Sequence, residues 1–308
     1  MTSAPRRALV TGGASGLGMQ AALQLSRRGC HVIVADRNAF GGQAVARSIA
    51  ADGGSAEFRQ IDLGDLDSVR AFAAETVARG EPIDILLNNA GLLPPMARTT
   101  TKDGFELAFG VAYLGHFALT GLLLPALLRS ASPRVVSVSS NSHPGGRIDF
   151  GNLQLERDYS PWRAYANSKL ACLMFAVELQ RRADAGNVPL LSVAAHPGVS
   201  RTAIAAGWQN ENRRRLRDRL ELAGYHAFMR FFDRDATEGA RSLVLAALAP
   251  ALQPGGYYGP TGFLQGRGEP GSVKPSRKVQ DRRTAARLWE VSEQLTGVRW
   301  DMPAARAA

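Results

Sequence analysis

The feature that most constrains this chain is a rhythm of short apolar runs and longer amphipathic ones. Ala8–Thr11, His31–Ala35, Ala56–Gln60, Ile83–Asn88, Arg134–Ser139 and Leu190–His196 are each short, apolar and bounded by turn residues. That is the pattern of strands buried on both faces. Between them lie Gly16–Arg28, Leu66–Gly80, Phe105–Leu128 and Ala164–Arg182, which have the length and periodicity of helices. A strand joined to a parallel neighbour through a helix crosses over right-handed. The order therefore predicts an α/β fold: a doubly wound parallel sheet of Rossmann type, three layers deep, with helices on both faces. No internal repeat or low-complexity linker interrupts the 308 residues, and a single domain over 1–308 is expected. Ligands of such sheets sit at the carboxyl ends of the strands, so the residues just after each strand carry the functional argument.

Composition excludes several other classes. Hydrophobic residues make up 45% and charged residues 21%, ordinary globular values that rule out a disordered or fibrous chain. Cys30 and Cys172 are too few for a disulfide scaffold or a cysteine zinc site, and no metal is expected. The residues Met1–Arg7 run straight into a strand without the apolar core of a signal peptide. No stretch approaches the roughly 18 apolar residues that span a bilayer. A soluble, cytoplasmic protein is the expectation. The net charge of +10 favours anionic partners in general. Its densest run, Arg213, Arg214, Arg215, Arg217 and Arg219, reads as a solvated helix face. No zinc-finger or aromatic RNA-binding signature accompanies it, so no nucleic-acid partner is expected. A membrane surface met through that run beside Trp208 and Phe228 is a disfavoured alternative.

Two long connections break the rhythm: 141–163, with Ile148, Phe150, Leu153, Leu155 and Trp162, and 203–232, with Trp208, Tyr225 and Phe228 among many arginines. Connections of this length in a compact domain are usually functional or mobile. With Leu92, Leu93 and Pro94 they are expected to cover the substrate, and their apolar character argues for a small lipophilic one. For each aromatic the competing reading is burial in the core.

The chemistry-bearing residues fall at the strand ends. Thr11-Gly12-Gly13-Ala14-Ser15-Gly16-Leu17-Gly18 links the first strand to a helix. Glycines there permit a tight turn, close approach to a pyrophosphate and close helix packing, and the helix N-terminus offers free N–H groups to the anion. Asp36 ends the second strand about 20 residues on, where a carboxylate binds ribose hydroxyls and favours NAD over NADP. The neighbouring Arg37 could instead take adenine or a 2′-phosphate, which keeps NADP open. Asp62-Leu63 after the third strand and Asn89-Ala90-Gly91 after the fourth suit the adenosine side. Ser139 and Ser140 follow the fifth strand. Tyr165 and Lys169 share one face of the next helix, where an ammonium beside a phenol lowers its pKa and makes it a usable acid/base.

Together these residues resemble the short-chain dehydrogenase/reductase family over nearly the whole chain. Within it, Tyr113-Leu114-Gly115-His116-Phe117, the long gap from Ser140 to Tyr165, Tyr257-Tyr258-Gly259-Pro260 and Leu288–Gly297 are similar to the retinol-dehydrogenase-like branch. The resemblance implies hydride transfer between a nicotinamide cofactor and a lipophilic ketone or alcohol. Tyr165 would be the acid/base and Ser140, rather than Ser139, would bind the substrate oxygen. Lys169 would hold the nicotinamide ribose; Val199 and Thr202 would hold the carboxamide end. It also implies a homo-oligomer, family members often pairing through the helix that bears Tyr and Lys. One position departs: the family normally carries Asn where this chain has Ala112, and that Asn supports a kinked helix and a proton-relay water. His116, further along, is not assigned the missing role, and His196 is expected to pack rather than act as a base. The departure motivates an alternative, a cofactor-binding regulatory or scaffold protein with little turnover.

Overall fold

The computed structural model describes residues 4–198 and 236–300. Its strands are β1 (Arg7–Thr11), β2 (His31–Asp36), β3 (Ser55–Gln60), β4 (Ile85–Asn88), β5 (Arg134–Val138), β6 (Leu191–Ala195), β7 (Tyr257–Pro260) and β8 (Pro270–Ser272). They form one sheet in the order β3-β2-β1-β4-β5-β6-β7-β8. All pairings are parallel except that of β7 with β8. The strand order reverses direction between β1 and β4, which opens a crevice above their carboxyl ends.

Alternation along the strands builds a core on each face. Leu9, Ile33, Leu86, Val135 and Ala194 belong to one apolar cluster; Val10, Val32, Val34, Leu87, Val136 and Val193 belong to the other. The first face is covered by α3 (Leu66–Ala78), α5 (Gly115–Leu122), α7 (Pro161–Ala185) and α9 (Arg282–Thr296). The second is covered by α1 (Gly16–Ser26), α2 (Ala39–Ala51) and α8 (Ala236–Leu248). Their starts are set by side chains that accept orphan N–H bonds: Asn38 for α2, Asp65 for α3, Ser160 before Pro161 for α7, and Asp281 for α9. At the other end of α8, buried Arg134 donates to the carbonyls of Ala246 and Ala249.

The expected helix Phe105–Leu128 is broken. It runs as α4 (Leu107–Phe109), a π-helical turn over Gly110–Leu114, α5, and α6 (Leu124–Leu127), which has Pro125 in its first turn. Helix α9 lies over α5 and α7. There Trp289 stacks against Phe175, meets Phe117 edge-on, and lies 4.5 Å below the Arg182 guanidinium. Glu178, buried beneath, is paired with Arg181 and Arg182. Within the chain every residue from Ser168 to Ala176 is buried, so the middle of α7 has no face left to solvent.

Candidate active site

A cleft of about 1120 Å³, counted with its opening to solvent, lies along the carboxyl ends of β1, β2, β4 and β5. Gly12, Ser15, Gly16 and Leu17 line it from the first turn, Asp36 and Arg37 from β2, and Asp62 and Leu63 from beyond β3. Asn89, Ala90 and Gly91 line it after β4, and Tyr165 and Lys169 close it from α7. Ile61, Leu92, Val111, Val138, Ser139 and Pro197 complete the wall; none of these carried a cofactor role from sequence, although all but Val111, which lies within the 105–128 helix, belong to or follow a strand already singled out.

Gly12 and Gly16 turn the loop with φ of +66° and +52°, in the left-handed region that glycine occupies without strain. Gly18 does not line the cleft. It sits behind the loop, where an added Cβ would collide with the Gly12 carbonyl and the Asn89 amide. Its smallness therefore lets α1 close on the strand. Ser15 caps α1 with an extended backbone and makes no side-chain bond to it. The first-turn N–H groups thus face the cleft, as an anion requires. The Asp36 carboxylate is fixed by two backbone donors, Ala14 N at 3.0 Å and Asn38 N at 2.9 Å, which tie the glycine turn to β2. Arg37 beside it is exposed.

Lys169 is buried, and its ammonium donates to the Val138 carbonyl at 3.1 Å. An ammonium has three donors, and the remaining two belong to a side chain that lines the cleft. The Nζ lies 5.8 Å from the centroid of the Tyr165 ring. An added Cβ on Gly91 would stand 3.1 Å from it, so a larger residue there would crowd the ammonium. These residues fit a dinucleotide: a glycine cradle under a helix N-terminus, a carboxylate at the ribose position and a buried cation with donors to spare.

Ser140 lies just outside the cleft lining, half-buried. Its hydroxyl accepts from Ser142 N at 3.2 Å, and its carbonyl accepts from His143 Nδ1 at 2.8 Å and from the Tyr257 hydroxyl at 3.4 Å. Ser139 lines the cleft, but its hydroxyl donates to the Lys169 carbonyl, anchoring α7 to β5. His196 is fully buried, accepts from Gly198 N through Nδ1, and burial pushes it down to about 3. Val199, Thr202, the arginine run 213–219 and the segment 203–232 lie outside the described residues. From 141–163, Leu155 is buried and Ile148, Phe150 and Leu153 pack against the core; Trp162 is exposed, 6.3 Å from Tyr165 between ring centres. Among the described residues no group of acidic, His and Cys side chains could hold a metal, and no helix is long and apolar enough to cross a membrane.

Ala112 sits in the π-helical turn, buried beside Gly91. The distortion expected to need an asparagine is present without one. The carbonyl of Ala112 accepts from two side chains, His116 Nδ1 at 2.9 Å and Cys172 Sγ at 3.0 Å. His116 therefore does support the widened turn, contrary to the sequence expectation. Its spacing, four residues along the same helix, was the available signal.

The family model for short chain dehydrogenase matches residues 6–213. A polyprenol dehydrogenase of Mus musculus is 42% identical over 302 residues, covering 95% of this chain and 84% of the relative. Retinol dehydrogenase 12 of Homo sapiens is 37% identical over 298 residues, covering 95% and 87%. Among solved structures, an uncharacterized protein from Mycobacterium paratuberculosis superposes with a TM-score of 0.78 at 40% identity, covering 97% of each chain. A short chain dehydrogenase of Shigella flexneri complexed with NADP reaches a TM-score of 0.54 at 28% identity, covering 67% of this chain and 83% of its own.

Proposed function

The chain belongs to the short-chain dehydrogenase family, and from that premise we propose that it interconverts a lipophilic, isoprenoid-type alcohol and its carbonyl product with a nicotinamide cofactor. The observation that carries this reading is the meeting of a glycine cradle with the Tyr165–Lys169 pair in one cleft. Bound there, the nicotinamide supplies the hydride donor or acceptor. In oxidation Tyr165 takes the hydroxyl proton as the carbon gives up its hydride; in reduction it returns that proton to the new alkoxide. Lys169, held by the Val138 carbonyl with its ammonium 5.8 Å from the centre of the Tyr165 ring, gives its remaining donors to the ribose. Ser140 orients the substrate oxygen. Val199 and Thr202 keep the role assigned to them at the carboxamide end.

The substrate class is supported by the relatives' names, polyprenol and retinol dehydrogenases, and by the apolar residues Leu92 and Trp162 near the acid/base pair. NAD is the favoured cofactor because Asp36 would repel a 2′-phosphate, while Arg37 leaves NADP admissible. The NADP and NADPH complexes of related structures keep that choice open. We place the protein in the cytoplasm, with contact to a membrane surface a disfavoured addition that a lipophilic substrate would make useful. A homo-oligomer remains part of the proposal; burial of the middle of α7 by α9 and its neighbours favours a contact elsewhere. The second reading, a cofactor-binding regulator with little turnover, rests on Ala112.

Fluorescence titration of NADH and NADPH, followed by assays with retinol and a short polyprenol in detergent, tests this directly. The expected result is tighter NADH binding and turnover of at least one isoprenoid alcohol, with Asp36→Ala moving the preference toward NADPH by about tenfold. Cofactor binding without turnover across the panel selects the regulator instead.

A further inference from the structure

A buried polar chain runs from the helix of Lys169 to the floor of the cofactor cleft. It starts at Cys172, one turn beyond Lys169 on α7, whose thiol donates to the Ala112 carbonyl at 3.0 Å. His116 Nδ1 approaches the same oxygen at 2.9 Å, and its Nε2 lies 2.8 Å from Thr11 Oγ1. Thr11 Oγ1 in turn accepts from the backbone N–H groups of Asn89, at 2.9 Å, and Ala90, at 3.1 Å.

The protons along this chain are fixed by chemistry. A carbonyl only accepts, so His116 carries its proton on Nδ1, and its bare Nε2 must accept from the Thr11 hydroxyl. The single Thr11 proton faces two acceptors, His116 Nε2 at 2.8 Å and the Leu87 carbonyl at 3.2 Å; the shorter contact makes His116 its main partner, and the hydroxyl lone pairs accept the two N–H groups. Burial holds the imidazole neutral, its pKa pushed down to about 4. Both ends of the chain reach residues that line the cleft: Asn89 and Ala90 at one end, the Lys169 helix at the other.

We propose that His116 and Cys172 are positioning residues: by clamping the Ala112 carbonyl from two sides they fix the Lys169 helix against the β1 and β4 exits, in place of a side chain that Ala112 lacks. His116 orients the Thr11 hydroxyl and so the Asn89–Ala90 backbone beneath the cofactor. Cys172 sets the depth of Lys169, and with it the distance from ammonium to phenol. The inference rests on the reading of Lys169 as the group that serves Tyr165, and it predicts two separable defects. Loss of the His116 bonds loosens the cofactor side; loss of the Cys172 bond changes the proton chemistry.

The test uses the full chain with His116→Phe, Cys172→Ala and Cys172→Ser. In His116→Phe, amide exchange at Asn89 and Ala90 should quicken about tenfold with the rest of the sheet unchanged, and NADH affinity should fall about tenfold. In Cys172→Ala, kcat should fall with KM unchanged and the pH limb of turnover should move to higher pH. Cys172→Ser, which keeps a donor, should restore both. Wild-type pH profiles in both Cys172 variants overturn the proposal, as does exchange that quickens evenly over the sheet in His116→Phe. If His116→Phe does not fold, the Cys172 pair decides. A silent Tyr165→Phe would sink the oxidoreductase reading itself; an inactive Tyr165→Phe beside a silent Cys172→Ala removes only the clamp.

Discussion

Two regions at the carboxyl end of the sheet behave differently. The rim formed by the exits of β1, β2 and β4 is rigidly specified: Asn89 bonds to Thr11 and Gly12, and Asp36 accepts from Ala14 N in the glycine turn, through bonds no longer than 3.5 Å. Thr11, Gly12, Asp36 and Asn89 each end or directly follow a strand. The connection 141–163 is specified otherwise. Its apolar residues Ile148, Phe150, Leu153 and Leu155 turn inward to the core, and Arg287 lies 4.1 Å over the Phe150 ring. What it leaves near the acid/base pair is mainly Trp162, 43% exposed. The contrast separates two tasks. In the proposed reading, positions set by strand ends would hold the cofactor and α7 the acid/base, whereas substrate contact would fall to side chains at the edges of long connections, where sequence and packing leave more freedom.

Acid should strike the rim first. His116 lies there and His196 stands at the exit of β6, burial pushing their pKa values down from the usual 6.5 to about 4 and about 3. The unfolded chain therefore takes up protons that the folded chain refuses, so their contribution is present above pH about 6.5 and is lost as the pH falls toward about 4. The loss is on the order of 3 kcal/mol for each. Urea midpoints measured across that window should drop steeply, and His116→Phe should flatten the slope. A slope unchanged by that substitution would show that this histidine does not titrate as the burial implies.

Steric insertion at the rim comes next. Gly18→Val should weaken NADH binding by about a hundredfold, since the loop must shift to admit the side chain, and a titration by fluorescence reads it. Near-normal affinity would mean that the rim is not rigid. The smallest effect belongs to the other region. Trp162→Ala should lower kcat/KM for an isoprenoid alcohol by about threefold, in keeping with a modest apolar contact, and leave NADH affinity untouched. A change in cofactor binding in that variant would erase the division between the two regions.

Much of this was legible because buried strands advertise themselves. β1, β2, β4 and β5 are apolar runs between turn residues, and once they are placed in order, Gly12–Gly18, Asp36 and Asn89 fall at the ends of the first three without further argument. Helix α2 is less legible, since Gly41 and Gly42 lie near its start and blunt the helical signal. The break in Phe105–Leu128 was implied only by the family resemblance, and what holds it was hidden for a different reason. A π-turn depends on which side chains satisfy the released carbonyl, and one of these, Cys172, comes from another helix. Ser140 and Ser139 show the same limit at the site. Adjacent in sequence and identical in chemistry, they are separated only by the Lys169 carbonyl that takes the Ser139 hydroxyl. Apolar character in 141–163 suggested a substrate cover, but an inward-facing and an outward-facing leucine look alike in sequence.

The central claim is that Tyr165 moves the proton in a cleft that binds cofactor without it. The most direct test is single-turnover hydride transfer between NADH and an isoprenoid aldehyde such as retinal, in the native chain and in Tyr165→Phe, with NADH affinity measured on both. The account predicts equal NADH affinity and a loss of about 10²–10⁴ in the transfer rate. Transfer at the native rate in Tyr165→Phe would contradict it.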